Sequence, residues 1–135
     1  MSLESEIQRR IEAEVGAEPD FLILKNSCGV ATHYSAEGGA WKVPYGLGSG
    51  SPDLVGMHRV GAVLAAWVAL EVKRPGEKPD PHQLKCHDVW RRFGALVYVV
   101  TSPEEARAAL VDARWQVSAW LNDEAARRAA GEVRT

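Results

Sequence analysis

Residues 63–73 read VLAAWVALEVK, an apolar run that ends in a glutamate and a lysine. The run has the length and composition of a buried strand, where charged side chains are costly unless they are paired or bind a cation. Because alternate side chains of a strand share a face, Glu71 and Lys73 project together while Val72 points the other way. The run therefore predicts a central strand that carries two charges into a site.

A second acidic motif, Ser51-Pro52-Asp53, is separated from Glu71 by 17 residues. Asp53 begins a predicted strand, and a turn near Gly61 connects this strand to the one that ends at Lys73. If the two strands pair antiparallel, the start of the first lies beside the end of the second. This pairing would bring the carboxylates of Asp53 and Glu71 together.

Two carboxylates beside a lysine can hold a divalent metal and position a water molecule. Mg²⁺ prefers oxygen ligands and keeps several waters, so Asp53, Glu71 and the backbone carbonyl of Val72 suffice as protein ligands. Lys73 can hold the attacking water or stabilise the charge on the phosphate. The leading hypothesis is a metal-dependent phosphodiesterase.

The bulk composition narrows the class of protein. The 135 residues are 46% hydrophobic and 25% charged, which is typical of one globular domain. We find neither an apolar run of membrane-spanning length nor a signal peptide, so we expect an intracellular, cytoplasmic protein with no membrane partner. The two cysteines are too few for a disulfide framework, and they lack the spacing of structural zinc sites.

Charge is unevenly distributed. The formal net charge of −2 gives no global indication of a nucleic-acid partner. Residues 73–92, however, contain six basic and three acidic side chains, so cationic surface close to the lysine motif can neutralise phosphates locally. The alternative for this patch is an ordinary solvated face.

Periodicity and turn signals predict the order helix, strand, strand, strand, helix, strand, helix, helix. The predicted elements are a helix over 3–15, strands over 21–25, 53–58 and 63–73, a helix from 80 to 93, a strand over 95–101, and helices over 103–110 and 112–130. Residues 26–50 are glycine-rich and predict an irregular segment or a short hairpin. Leu84, Val89, Trp90 and Phe93 are expected to form the apolar side of the helix from 80 to 93. The natural packing is an α/β fold, a mixed sheet flanked by helices.

Three ordered motifs in this framework resemble those of the VRR-NUC family of the PD-(D/E)xK nuclease superfamily. They are Gly50–Val55, Glu71–Gly76 and Gln83 at the start of an aromatic-bearing helix. The first helix, from Leu3 to Gln8, and the segment from Gly94 to Ala106 are also similar to that family. The resemblance covers residues 3–110, the expected nuclease domain, and leaves 111–135 as a helical extension of the same domain.

The resemblance implies a restriction-endonuclease-like fold and a Mg²⁺- or Mn²⁺-dependent endonuclease acting on DNA. Family members that stand alone look like phage-type proteins that dimerise and cut branched DNA such as Holliday junctions. Residue by residue, Asp53 and Glu71 match the metal carboxylates, Lys73 the catalytic lysine and Gln83 the helix glutamine. Glu4 matches the glutamate of the first helix.

The resemblance and the basic patch together give a set of expected DNA contacts. Two groups are expected, one in the glycine-rich segment and one after the lysine motif: Asn26, Ser27, Lys42, Arg74, Lys78 and Lys85. A homodimer is expected because a four-way junction needs two nearly symmetric cuts, which a two-fold dimer supplies.

Less specific interpretations remain open at this stage. Gln83 can be a capping-box residue, with or without a role in the site, and Glu4 can merely complement its helix dipole. The whole domain can bind branched DNA without cutting it. It can also be a structural or protein-interaction domain in which Glu71 and Lys73 form an ion pair.

Overall fold

A four-stranded mixed sheet forms the centre of the fold. The computed structural model describes residues 1–131. Its elements are α1 (Leu3–Val15), β1 (Phe21–Lys25), β2 (Gly29–Tyr34), β3 (Ala40–Tyr45), β4 (Leu54–Arg59), β5 (Ala65–Val72), α2 (Pro81–Arg92), β6 (Leu96–Val100) and α3 (Pro103–Ala129). The strand order is β1-β4-β5-β6, and β2 and β3 form a separate hairpin. The predicted α/β class with a mixed sheet flanked by helices is confirmed.

Strand pairing follows from the turn that joins β4 to β5. These strands pair antiparallel, with Leu54 opposite Leu70 and Arg59 opposite Ala65. β1 adds to β4 antiparallel, whereas β6 adds to β5 in parallel after the α2 crossover. A parallel neighbour needs such a crossover, because a tight hairpin can join only antiparallel strands. The antiparallel pairing on which the sequence hypothesis depends is therefore present.

The two faces of the sheet bury different elements. The face that presents Leu54, Val68, Leu70 and Val72 packs against α1 and α3 and forms the larger apolar core. α1 contributes Ile7, Ile11 and Val15 to this core. The opposite face presents Val55, Ala69 and Val97 and lies against Trp90 of α2. Because side chains alternate along β5, Glu71 lies on this second face, towards α2.

The apolar side expected for α2 was only partly right. Val89 and Trp90 are half-buried, but Leu84 is 47% exposed and Phe93 is 89% exposed. The buried residue of this helix is instead a histidine, His87. The error has a physical cause: part of the inward side of α2 is polar, and it contacts the buried carboxyl group of β5.

The C-terminal region is one helix rather than two. The sequence predicted a break after Leu110, but α3 runs for 27 residues from Pro103 to Ala129. After Pro103 this stretch contains neither glycine nor proline and is rich in alanine, so nothing interrupts the helix. The division expected at residues 110/111 thus falls inside α3. Residues 132–135 of the expected extension lie outside the described residues.

Membrane-spanning helices are absent from the part of the chain that the structure covers. No helix within residues 1–131 is both long enough and apolar enough to cross a bilayer.

Gly56 marks a close approach of β1 to β4. A Cβ atom at this position would lie 2.3 Å from the carbonyl oxygen of Leu22 and 2.6 Å from Cζ of Phe21. We expect Gly56→Ala to destabilise the protein by about 1–3 kcal/mol, because the ring and the strand backbone must move to make room. Urea unfolding followed by circular dichroism measures this loss.

The matched control is Gly61→Ala in the turn between β4 and β5. A Cβ atom there meets nothing within 4 Å. This substitution should change the free energy of unfolding by less than about 0.5 kcal/mol. Equal unfolding midpoints for the two variants would contradict the tight packing inferred at Gly56.

Candidate active site

Asp53 lies directly before β4, at the end of the sheet where β5 finishes. Its Oδ2 accepts a hydrogen bond of 2.8 Å from the backbone N–H of Val72. This bond fixes the aspartate against the end of β5, and its carboxyl group is close enough to that of Glu71 to interact with it directly. The structure thus brings together the two carboxyl groups that the sequence analysis paired.

Asn26 holds the motif that carries Asp53. Its Nδ2 donates to Oγ of Ser51 and to the carbonyl oxygen of Pro52, both at 2.8 Å. Its backbone N–H donates to the carbonyl oxygen of Asp53 at 2.8 Å. Its Oδ1 accepts from the backbone N–H of Leu47 at 3.1 Å. The amide expected to contact DNA is therefore engaged within the protein, a positioning role that the sequence did not indicate.

Glu71 is the buried centre of the site, with only 1% of its surface exposed. Its Oε1 accepts a hydrogen bond of 2.7 Å from Nε2 of Gln83, and its Oε2 lies 3.2 Å from Nε2 of His87. Nζ of Lys73 lies 3.8 Å from Oε1, on the same face of the strand. Each carboxyl oxygen is thus contacted by a different side chain of α2, and the expected pairing of Glu71 with Lys73 is present.

Gln83 performs both of the roles that the sequence left open. Its backbone N–H donates to Asp80 at 2.8 Å and its Oε1 accepts from the backbone N–H of Asp80 at 2.9 Å, which completes a capping box. The remaining amide nitrogen is the donor to Glu71. One side chain therefore both begins α2 and ties that helix to the carboxyl group on β5.

His87 is the site residue that the sequence analysis missed. Its side chain is fully buried, and its Nδ1 has no hydrogen-bond partner among residues 1–131. The sequence did carry a signal: His87 follows Gln83 by four positions, so both side chains lie on one side of a helix.

Burial and like charge control protonation in the site. Burial, and then the neighbouring Asp53, raise the pKa of Glu71 to about 8, although Lys73 opposes the shift. Burial also lowers the pKa of His87, as does nearby Arg91. In the absence of a cation, Glu71 is therefore mostly protonated at neutral pH while His87 is neutral.

Glu4 reaches the site from the first turn of α1. It is half-buried, whereas Glu6 is exposed. Its charge makes the smallest of the contributions that raise the pKa of Glu71. Glu4 is thus near enough to act on the carboxyl pair, and its part in catalysis stays a prediction.

The other expected DNA contacts are distributed around the site. Arg74 and Lys78 are exposed on the connector directly after Lys73, and Arg74 forms an ion pair with Glu77. Lys85 is exposed on the side of α2 opposite Gln83. Ser27 is exposed beside Asn26, and Lys42 is exposed on the β2–β3 hairpin. The structure therefore puts Arg74 and Lys78 on the connector that follows Lys73.

The residues present suit a hard divalent cation. Two carboxyl groups meet beside Lys73, and burial together with Asp53 raises the pKa of Glu71. Within residues 1–131, no three side chains of the His, Cys, Asp and Glu types cluster as a metal cage. A carboxylate pair suits Mg²⁺, which takes few protein ligands and keeps several waters, better than it suits zinc.

A mixed sheet with an Asp, a Glu-x-Lys strand end and a glutamine-bearing crossover helix defines a restriction-endonuclease-like, nuclease-type fold. A solved structure described as a "VRR_NUC domain" has this fold: it is 28% identical, with a TM-score of 0.55 over 80% of this chain and 94% of that one. No family model matches the sequence, and no curated protein does. The structural likeness, together with the ordered motifs, supports membership of the VRR-NUC family. Membership implies DNA as the partner, and a fold of this type usually uses a divalent metal.

The pKa of Glu71 predicts how stability depends on pH. Because the folded-state pKa of about 8 exceeds the ordinary value of 4.5, the unfolded chain ionises first as pH rises. Glu71 therefore lowers the free energy of unfolding progressively between about pH 4.5 and pH 8. We therefore expect the free energy of unfolding of Glu71→Gln, relative to that of wild type, to rise by about 2–4 kcal/mol as the pH increases from 5 to 8.

Urea unfolding in EDTA at pH 5, 6, 7 and 8 measures this difference. The control is Glu77→Gln, which removes an exposed carboxylate whose pKa is lowered by Arg74. Its effect on stability should stay constant over the same range. A constant difference for Glu71→Gln as well would refute the buried, protonated state of Glu71.

Proposed function

We propose that the protein is a Mg²⁺- or Mn²⁺-dependent endodeoxyribonuclease that hydrolyses phosphodiester bonds in branched DNA such as Holliday junctions. The observation that carries the proposal is the meeting of Asp53, Glu71 and Lys73 at one end of the sheet. A buried acid beside a second, half-buried acid is costly for a structural domain, and the chemistry of this set suits phosphodiester hydrolysis.

Asp53, Glu71 and the backbone carbonyl of Val72 are the groups that would hold the metal. A bound divalent cation polarises the phosphate and lowers the pKa of a coordinated water. Lys73 is mostly buried, with 13% of its side chain exposed, so its ammonium group acts in a weakly screened environment. It orients the attacking water or stabilises charge on the phosphate, while Glu4 assists through a water molecule.

The nucleic acid binds across the end of the sheet that carries this site. Arg74 and Lys78 follow the catalytic lysine on an exposed connector, where they can neutralise phosphates next to the scissile bond. Lys85 adds a positive charge on the far side of α2, and Ser27 and Lys42 add contacts from the hairpin side. Asn26 contributes by holding the Pro52-Asp53 backbone.

Action on branched DNA rests on the family resemblance and on symmetry. A four-way junction has near two-fold symmetry, so a homodimer would place two equivalent sites for paired cuts. The exposed apolar side chains that a second copy could cover include Phe93 and Trp115, which are 89% and 72% exposed. An intracellular, cytoplasmic place of action follows from a DNA substrate.

A second candidate is a module of the same fold that binds branched DNA without cutting it. Two observations favour it: the formal net charge is −2, and the described residues offer only a carboxylate pair where larger metal cages supply three or more ligands. The intact set of Asp53, Glu71 and Lys73 argues against it, because binding alone does not require all three charges together.

Cleavage of a substrate panel tests the proposal. Wild type should cut a four-way junction in Mg²⁺ or Mn²⁺ faster than linear duplex, flap or splayed-arm DNA at one fixed salt concentration. Asp53→Asn and Lys73→Ala should each lower the rate by about 100-fold or more, since each removes a group at the reacting phosphate. Gel analysis of end-labelled strands measures the rates.

The matched control is Asp123→Asn, which makes the same chemical change at an exposed residue of α3 paired with Arg127. It should cut at the wild-type rate. Junction binding without product in Mn²⁺ would establish the second candidate instead, and equal cleavage by wild type, Asp53→Asn and Lys73→Ala would end the nuclease proposal.

A further inference from the structure

His87 is a buried polar residue to which the proposed chemistry gives no role. The protein has a second buried histidine, His58 on β4, and the two differ in how they are satisfied. Nδ1 of His58 lies 3.1 Å from the carbonyl oxygen of Asp20, and its Nε2 accepts from Nε of Arg114 at 3.0 Å. Among residues 1–131, His87 makes one such contact, from Nε2 to Oε2 of Glu71. Its interactions are therefore directed entirely at the carboxyl group.

The single contact assigns the tautomer of His87. A hydrogen on Nδ1 would be buried without an acceptor, because that atom has no partner among the described residues. Leaving a buried donor unpaired costs about 1–3 kcal/mol. When Glu71 is ionised, as it is when it binds a cation, a bare Nε2 would also face Oε2 acceptor to acceptor. The hydrogen therefore sits on Nε2 and is donated to Oε2 of Glu71 at 3.2 Å. The ring acts as a neutral donor with one target.

Gln83 supplies the second donor from the same side of α2. Its Nε2 donates to Oε1 of Glu71 at 2.7 Å, so the two carboxyl oxygens are held by side chains one helical turn apart. The start of α2 is itself fixed by Pro81 and the Asp80–Gln83 capping box. Two donors on a rigid helix define the plane of the carboxylate, whereas a single donor would leave it free to rotate.

The orientation of this plane decides where the free lone pairs of Glu71 point. Asp53 is held independently by the backbone N–H of Val72. A cation shared by the two side chains requires both carboxylates to keep a fixed relative geometry. Hydrogen bonds that orient metal ligands typically change metal affinity by 10–100-fold when they are removed.

We propose that His87 is a positioning residue of the metal site: its Nε2–H holds Oε2 of Glu71 so that Glu71 and Asp53 present their oxygens to one divalent cation. The inference rests on the proposed function, because Glu71 is a metal ligand only within it. His87 is not itself a ligand, since its Nε2 is occupied by Glu71 and its ring has no exposed surface.

Mn²⁺ affinity in the absence of DNA tests this role. Free Mn²⁺ is measured by electron paramagnetic resonance at one fixed pH for wild type, His87→Leu and His87→Gln. His87→Leu fills a similar volume without a donor and should weaken Mn²⁺ binding by about tenfold or more. His87→Gln places an amide N–H near the position of Nε2 and should restore the affinity to within about threefold of wild type.

His58→Leu is the matched control, because it removes a buried histidine on the opposite face of the sheet. It should lower the thermal unfolding midpoint while leaving Mn²⁺ affinity unchanged, which separates a stability effect from positioning. If His87→Leu does not fold, His87→Asn replaces it, since its shorter amide cannot reach Oε2.

The outcomes distinguish a failure of the His87 role from a failure of the proposed function. Wild-type affinity in folded His87→Leu, or affinity as weak in His87→Gln as in His87→Leu, would overturn the role of the donor. No Mn²⁺ binding by the wild-type protein would overturn the proposed function and this inference together. Normal Mn²⁺ binding without DNA cleavage would overturn only the nuclease activity, and the affinities of the His87 variants would still decide the positioning role.

Discussion

The burial of the Glu71 carboxyl group beside Asp53 is the constraint on which the rest of the site depends. Taking two acids out of water side by side is unfavourable unless they are neutralised or hydrogen-bonded. The fold meets this requirement from two directions: the end of β5 supplies the N–H of Val72 and the following Lys73, and α2 supplies donors to both oxygens of Glu71. A protonated Glu71 is the remaining means of relief when no cation is bound. The same arrangement that raises the pKa of Glu71 suits a divalent ion.

The topology explains why these groups meet. Antiparallel pairing of β4 with β5 puts the beginning of one strand beside the end of the other, and Leu54 opposite Leu70 fixes the register. The parallel placement of β6 requires a crossover, which carries α2 over the same face of β5 that presents Glu71. A shift of register by one residue would turn Glu71 towards the apolar core formed with α1 and α3. The core packing on one face therefore fixes the register that keeps Glu71 on the other face.

Much of this arrangement could be predicted from local patterns. The stripe of α1, the cap and proline of α2 and the apolar runs of β5 and β6 are short-range signals, and the structure has elements at these places. The pairing of Asp53 with Glu71 was predictable because one turn joins their strands. Long-range contacts were not: Asn26 reaches the Pro52-Asp53 backbone from 26 positions away, and no sequence pattern encodes that choice. His87 was missed because a polar residue in a predicted helix is normally assigned to its solvent-exposed side.

Asn26 also has a mechanical consequence. Its amide oxygen takes the N–H of Leu47 beyond the far strand of the β2–β3 hairpin, while its amide nitrogen and backbone hold Ser51, Pro52 and Asp53. Both ends of the hairpin are thus connected to Asn26, which also holds the backbone of Asp53. We expect a load applied to the hairpin, such as the tension of a bound strand, to be transmitted to the Asp53 backbone through this anchor. The β2–β3 hairpin and Asp53 would then move together.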